Sequence, residues 1–222
     1  MTKKITALKV QKRNPNRVNV YLDGEYAFGL ARITAAWLQV GQELGDEKIA
    51  ELQGQDTYEV AYQRSLLFLS YRPRSQAEVE QRLRKHGYEG PVVEATVERL
   101  TNSGLIGDEQ FARLWVENRS AFRPRSRAML RAELRHKGVA EEAILSALEE
   151  ATDEEELAYQ AGLKRARRWA GLEWNEFRER LSAYLARRGF VFETTASAVR
   201  RIWEEIQASE AEPTFGNEEE RC

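Results

Sequence analysis

Two periods of hydrophobic placement divide the chain. Between residues 4 and 30 apolar positions alternate with polar or small ones: Val18, Val20 and Leu22 with Asn19 and Tyr21, then Tyr26, Phe28 and Leu30 with Ala27 and Gly29. A period of two marks strands with one buried face. Asn14-Pro15-Asn16 and Asp23-Gly24 supply turn chemistry between them. The expectation is a small three-stranded β-meander, followed by two short helical pieces near Thr34–Leu38 and Asp46–Gln53. From about Asp56 the spacing becomes helical. Tyr62, Leu66 and Leu69 fall on one face at i, i+4 and i+7, and Pro73 stops that helix.

The helical part repeats every 51 residues. Leu83-Arg84-Lys85-His86-Gly87-Tyr88 recurs as Leu134-Arg135-His136-Lys137-Gly138-Val139 and again as Leu185-Ala186-Arg187-Arg188-Gly189-Phe190. Arg72-Pro73-Arg74-Ser75 recurs as Arg123-Pro124-Arg125-Ser126. Such a repeat is one supersecondary unit stacked several times, presenting a long surface rather than a pocket. Ser75 and Glu78 form a capping box, and Gly87, Gly138 and Gly189 are expected at the left-handed position that ends each second helix. The third helix of the first repeat opens at Pro91 and buries Val93, Val97 and Leu100. In the second repeat Asp108 is the expected N-cap, Phe111, Leu114 and Trp115 face inward, Leu130 and Leu134 line the next helix, and Ile144 and Leu148 close the core. Leu181, Leu185, Val199 and Ile202 do the same in the third, where Trp174-Asn175-Glu176-Phe177 replaces the Arg-Pro-Arg-Ser turn.

The fold expected is therefore mainly α: an elongated tandem array of three three-helix repeats after a small N-terminal β-meander module. The boundaries are 1–55 for that module, 56–107, 108–151 and 152–207 for the repeats, and 208–222 for an acidic, disordered tail. With 42% hydrophobic and 32% charged residues, the chain suits a soluble helical protein with many solvated faces. No apolar run approaches the roughly 18 residues of a membrane span, and the N-terminus lacks a signal-peptide core, so a cytoplasmic location is expected. The one cysteine, Cys222, offers no intramolecular disulfide.

The net charge of −2 conceals a basic body and an acidic tail. Lys3, Lys4, Lys9, Lys12, Arg13, Arg17 and Arg32 crowd the N-terminus; Lys9, Lys12, Arg13 and Arg17 are possible DNA contacts. Arg72, Arg74, Arg123, Arg125 and Arg127 flank stiff proline turns. Their forks match carboxylates and phosphates of a partner. The plainer alternative is that they pair with Glu78, Glu80 or Glu133 of their own helices. If they serve a partner, neutralising all five should leave melting unchanged. Arg84, Lys85, Arg135, Lys137, Arg187 and Arg188 end the second helices, where the helix dipole alone accounts for cations. Lys164, Arg165, Arg167 and Arg168, four cations in five positions beside Trp169, exceed what capping needs and suit a polyanion or an acidic protein surface. His86 and His136 stand without a second ligand at metal spacing, and no phosphate loop or nucleophile elbow occurs, so no metal, cofactor or catalytic residue is expected. The second helices mix Glu78, Glu80, Arg82 and Arg84 on their faces, which argues against sequence-specific duplex reading.

At three stretches the sequence resembles the RecX family, regulators of the recombinase RecA: Leu69-Ser70-Tyr71-Arg72-Pro73-Arg74-Ser75 with Glu78 and Leu83; Gly104-Leu105-Ile106-Gly107-Asp108-Glu109-Gln110-Phe111-Ala112; and Glu133-Leu134-Arg135-His136-Lys137-Gly138-Val139. The third repeat is similar in helix pattern more than in motif. Asp23-Gly24-Glu25-Tyr26 and Gly41-Gln42-Glu43-Leu44 look like an extension found in some members. The resemblance implies a non-enzymatic, monomeric regulator that binds the RecA filament on single-stranded DNA in its groove and mostly inhibits filament growth and activity. It also implies a place in recombination, repair and the SOS response. Two other readings stay open: a direct nucleic-acid binder acting without RecA, and a passive helical scaffold.

Overall fold

Asp23 and Gly24 close a two-residue hairpin. In the computed structural model, which describes residues 1–211, both take positive φ, 52° and 93°. That is the type I′ geometry whose twist matches the flanking strands. The hairpin joins β2 (Asn14–Leu22) to β3 (Glu25–Ala31). β1 (Thr2–Gln11) pairs antiparallel with the other side of β2, and β4 (Glu43–Gly45) adds to β1, giving the order β3-β2-β1-β4. This fourth strand extends the three-stranded expectation; three residues are too few to show alternation. The turn between β1 and β2 also differs from the expectation. The chain reverses at Lys12-Arg13, and Gln11 pairs with Asn14 while Val10 pairs with Val18. Pro15 therefore lies in a bulge, where its missing N–H costs no ladder bond.

The inward positions of the sheet are those the alternation marks. Val18 faces Leu30 and Val20 faces Phe28 across the β2–β3 pair. With Ile5, Leu22 and Leu44 they form one buried cluster, which Ala35 of the 3-10 helix Thr34–Trp37 and its C-cap residue Leu38 join.

α1 (Asp46–Leu69) corrects the expected helical break. It runs unbroken for 24 residues, through Gly54, so the boundary placed at residues 55 and 56 falls inside a helix. A mid-helix glycine costs about 1 kcal/mol. The helix continues because each end has its own buried anchor. Leu52 enters the sheet core, while Ala61 is fully buried in the first three-helix repeat. Between them, Asp56 accepts from the Ala31 N–H and pairs with Arg17 at 2.8 Å.

α2 (Gln76–Lys85) and α3 (Gly90–Asn102) complete that repeat around Val79, Leu83, Val93, Val97 and Leu100. The Ser75–Glu78 capping box forms in both directions. α4 (Asp108–Phe122), α5 (Arg127–His136) and α6 (Glu141–Glu149) enclose Phe111, Leu130, Leu134 and Ile144. Leu114, expected inside, is 43% exposed; Val116 takes the buried place. α7 (Glu154–Ala166), α8 (Trp174–Ala186) and α9 (Phe192–Ala211) enclose Leu157, Phe177, Leu181, Leu185 and Ile202. Where the third repeat lacks the basic turn, Trp174 and Phe177 pack on Trp203, with ring centroids 5.4 and 4.9 Å away. Gly162 lets α7 and α9 approach closely: a Cβ there would stand 2.7 Å from Ile202 Cδ1.

Gly87, Gly138 and Gly189 have φ of 82°, 74° and 88°, and in each case the next residue's N–H bonds to the carbonyl five positions back. The three caps are thus equivalent Schellman motifs. Gly104, with Leu105 bonded to Leu100, adds another after α3. The chain divides after Gly107 into two compact units. The expected acidic tail lies mostly outside the described residues, as does Cys222; α9 continues to Ala211.

Candidate functional site

The basic turn of the first repeat is held from within. Arg72 donates to Glu78 at 2.8 Å and to the carbonyl of Pro73 at 3.0 Å. Arg74 lies over Phe68, its guanidinium carbon 4.0 Å from the ring centroid, and its side chain is only 16% exposed. Desolvation, then the charge of Arg72, holds its guanidinium below the usual arginine value. Such a cation contributes through packing as much as through charge.

In the second repeat the centre of the network is Glu133. It accepts from Trp115 Nε1 and Arg119 Nε, each at 2.9 Å, and from Arg125. Arg127 donates to the carbonyl of Ala151 at 3.2 Å. The plainer reading of the turns, pairing with Glu78 and Glu133, thus describes Arg72, Arg74 and Arg125. These pairings argue against the expectation that all five arginines can be neutralised with melting unchanged. Arg123 differs. It is exposed, and its side chain has no hydrogen bond or ion pair with another described residue.

The helix-end cations divide in the same way. Arg84 stands 3.6 Å from Glu80, and Arg135 pairs with Glu141 at 2.8 Å. Lys137 lies 5.2 Å from the Trp115 ring centroid. Lys85 is exposed and has no ion pair among the described residues. Arg188 turns back to the carbonyl of Pro124 at 2.9 Å. The 164–168 cluster does not act as one group: Arg165 is half-buried over Trp169 and Tyr184, at 5.2 and 5.8 Å, whereas Lys164, Arg167 and Arg168 face solvent. At the N-terminus Arg17 is engaged with Asp56 and the carbonyl of Gly29. Lys9 lies 4.9 Å from the Tyr21 ring centroid, and Lys12 and Arg13 form the exposed β1–β2 turn.

One feature was missed in the sequence. Tyr71 and Phe122, one repeat apart and each just before its basic turn, are 75% and 76% exposed. The 51-residue step that marks the arginines marks these rings equally well. Each borders an open groove, of about 380 Å³ in the first repeat and about 280 Å³ beside Phe122, Lys164 and Arg188. Glu133, named above as an alternative partner of the turn arginines, also takes two partners from α4, Trp115 and Arg119, to which no local spacing pointed. Among the described residues no cluster of three or more His, Cys, Asp or Glu could hold a metal, and no helix is long and apolar enough to cross a membrane.

Comparison with known proteins accounts for every part of this layout. The regulatory protein RecX N-terminal domain matches residues 3–45, and the first, second and third RecX three-helix domains match 61–100, 108–148 and 153–199. The regulatory protein RecX of Bacillus subtilis (strain 168) is 33% identical over 205 residues, covering 89% of this chain and 76% of its own. That of Bacillus pumilus (strain SAFR-032) is 29% identical over 204 residues, covering 90% and 78%. A crystal structure of a regulatory protein RecX superposes with a TM-score of 0.69 at 29% identity, covering 91% of this chain and 99% of that one. RecX from Lactobacillus salivarius, at 20% identity and a TM-score of 0.58 over 67% of this chain and 97% of that one, shares the fold. The sheet module, the three tandem three-helix domains and the regulatory relatives agree, and the chain belongs to the RecX family.

Proposed function

We propose that this protein is a non-enzymatic regulator that binds the RecA filament on single-stranded DNA in its groove and limits filament growth and recombinase activity, acting as a monomer in the cytoplasm. The observation that carries the reading is the full order of RecX domains along one chain. The surface chemistry supports it. Arg123, Lys164, Arg167 and Arg168 are exposed cations without an internal carboxylate partner among the described residues. They are suited to carboxylates or phosphates of a partner. The internally held Arg72, Arg74, Arg125 and Arg127 stiffen the turns.

The test is co-sedimentation with RecA assembled on single-stranded DNA, with RecA alone and with the strand alone. Much stronger retention by the assembled filament than by either component alone is expected, together with slower filament extension. Equal retention on the bare strand moves the assignment to a direct nucleic-acid binder, and no retention in any arm rejects both.

A further inference from the structure

The first repeat leaves open a place that the second fills with its own carboxylate. Arg82 and Glu133 are one 51-residue step apart, at the same position of α2 and α5. In the second repeat Glu133 gathers Arg119, Arg125 and Trp115. In the first, Arg82 stands there, with Arg64 and His86 beside it along one open groove. No carboxylate pairs with Arg64, Arg82 or Lys85 among the described residues. The guanidiniums are held by rings instead: Arg82 is 5.4 Å from the centroid of Phe68, and Arg64 is 5.9 Å from that of Tyr88. A ring positions a guanidinium without neutralising it.

His86 registers the missing counter-charge. Partial desolvation, then the charges of Arg82, Arg64 and Lys85, hold its imidazole below the ordinary histidine value. An anion in the groove would relieve that crowding. The groove also has an apolar lip. Leu67, on α1, and Tyr71, in the turn just after it, line the same groove as Arg64 and Phe68 and are 61% and 75% exposed.

We infer that this groove is a binding site for single-stranded nucleic acid, taking one phosphate between Arg64, Arg82 and His86 and the adjoining base on the ring of Tyr71. Two forked guanidiniums match the several oxygens of a phosphate. An exposed ring beside a cationic track is how a strand is held without sequence preference. A single strand is required, because a duplex keeps its bases stacked and offers none to Tyr71. The groove's volume of about 380 Å³ suits one nucleotide rather than a folded partner. This site deepens the proposed function by naming where the strand is touched, yet it needs no RecA and is tested without it.

The test uses the full-length protein and a fluorescein-labelled thymidylate oligonucleotide, followed by anisotropy across a salt series, with polyglutamate of matched charge as the second probe. Arg82→Gln should weaken strand binding and reduce the log–log salt slope by about 0.7. Tyr71→Leu should weaken binding about fivefold or more at an unchanged slope. Arg64→Gln serves as a second charge variant, and circular dichroism confirms that each is folded. The site is refuted if the parent fails to bind the strand, or if the folded variants bind as the parent does. Polyglutamate binding as tightly as the strand, lost in Arg82→Gln but kept in Tyr71→Leu, reassigns the groove to an acidic protein segment. Filament co-sedimentation is a separate measurement, so failure here leaves the RecA reading standing.

Discussion

Arg188, near the end of α8, donates to the carbonyl of Pro124 at 2.9 Å, while its own carbonyl accepts the N–H of Ser126 at 3.1 Å. The basic turn of the second repeat is thereby clamped by the third. The next residue, Gly189, packs so closely that a Cβ would stand 2.3 Å from Met129 Cγ and 2.5 Å from Ser126 Oγ.

The equivalent caps should therefore differ in their response to alanine. Gly87 has positive φ but nothing within 4 Å of a Cβ. Gly87→Ala should cost about 1–2 kcal/mol, the penalty of the left-handed conformation. Gly189→Ala adds a clash and should cost about 1–3 kcal/mol more. Chemical denaturation of both variants checks the order, and equal losses would contradict the clamp.

Removing the Glu133 carboxylate should destabilise the second repeat. The Glu133 side chain is 16% exposed, and those of Arg119 and Arg125 are 24% and 35% exposed. Glu133→Gln leaves two half-buried cations without their anion, which should cost about 2 kcal/mol after allowance for solvent. The emission of Trp115 should shift as well, since its Nε1 donates to that carboxylate. Unchanged melting would mean that the network is held elsewhere.

Glu59 should make the first repeat sensitive to acid. Burial raises its carboxyl value, but the hydrogen bonds from Arg99 and Gln63 and the charge of Arg99 outweigh it, and the net shift is downward from 4.5. The folded state thus holds the proton less tightly than the unfolded chain. The contribution is fully present above the unfolded value and is lost as pH falls through the folded one. Glu59→Gln should lower stability by about 1 kcal/mol at neutral pH. Parent and variant should converge in acid, once pH has fallen through the lowered folded value. Denaturant midpoints at pH 7 and in acid measure this; a constant gap would exclude the linkage.

Arg123 and Arg125 should separate binding from stability. Arg123→Gln is expected to weaken filament retention severalfold with melting unchanged, since its side chain has no internal partner among the described residues. Arg125→Gln should lower melting through Glu133. Co-sedimentation and thermal melts on the same samples check the pair. Identical behaviour would contradict the division of the arginines into surface and framework.

What could be read from the sequence followed from local rules. The capping box at Ser75, the type I′ turn at Asp23-Gly24 and the three glycine caps each depend on a few neighbouring residues, and each stands in the structure. The tertiary choices were harder to read. Gly54 resembles a break until Leu52 and Ala61 are known to sit in two cores. Leu114 and Val116 have similar claims on the interior, and only the packing of α4 decides between them. The cations and their nearby partners Glu78 and Glu133 were visible, but the distant partners were not. Asp56 lies 39 positions from Arg17, and the Arg188–Pro124 contact spans 64. No spacing rule reaches that far, so paired and solvent-facing arginines looked alike.

The unbroken α1 sets a phase relation between the sheet and the first repeat. Each residue advances the helix by about 100°. Leu52, Asp56 and Ala61 must therefore meet the sheet core, Arg17 and the helical core at fixed azimuths. Deleting one residue between Leu52 and Ala61 would turn one anchored face about 100° away from its partner, although every side chain would still be present. Length changes in that stretch are tolerable only near whole numbers of turns. Fusions or truncations that start at residue 56 would sever a helix in mid-span and leave Asp56 without Arg17.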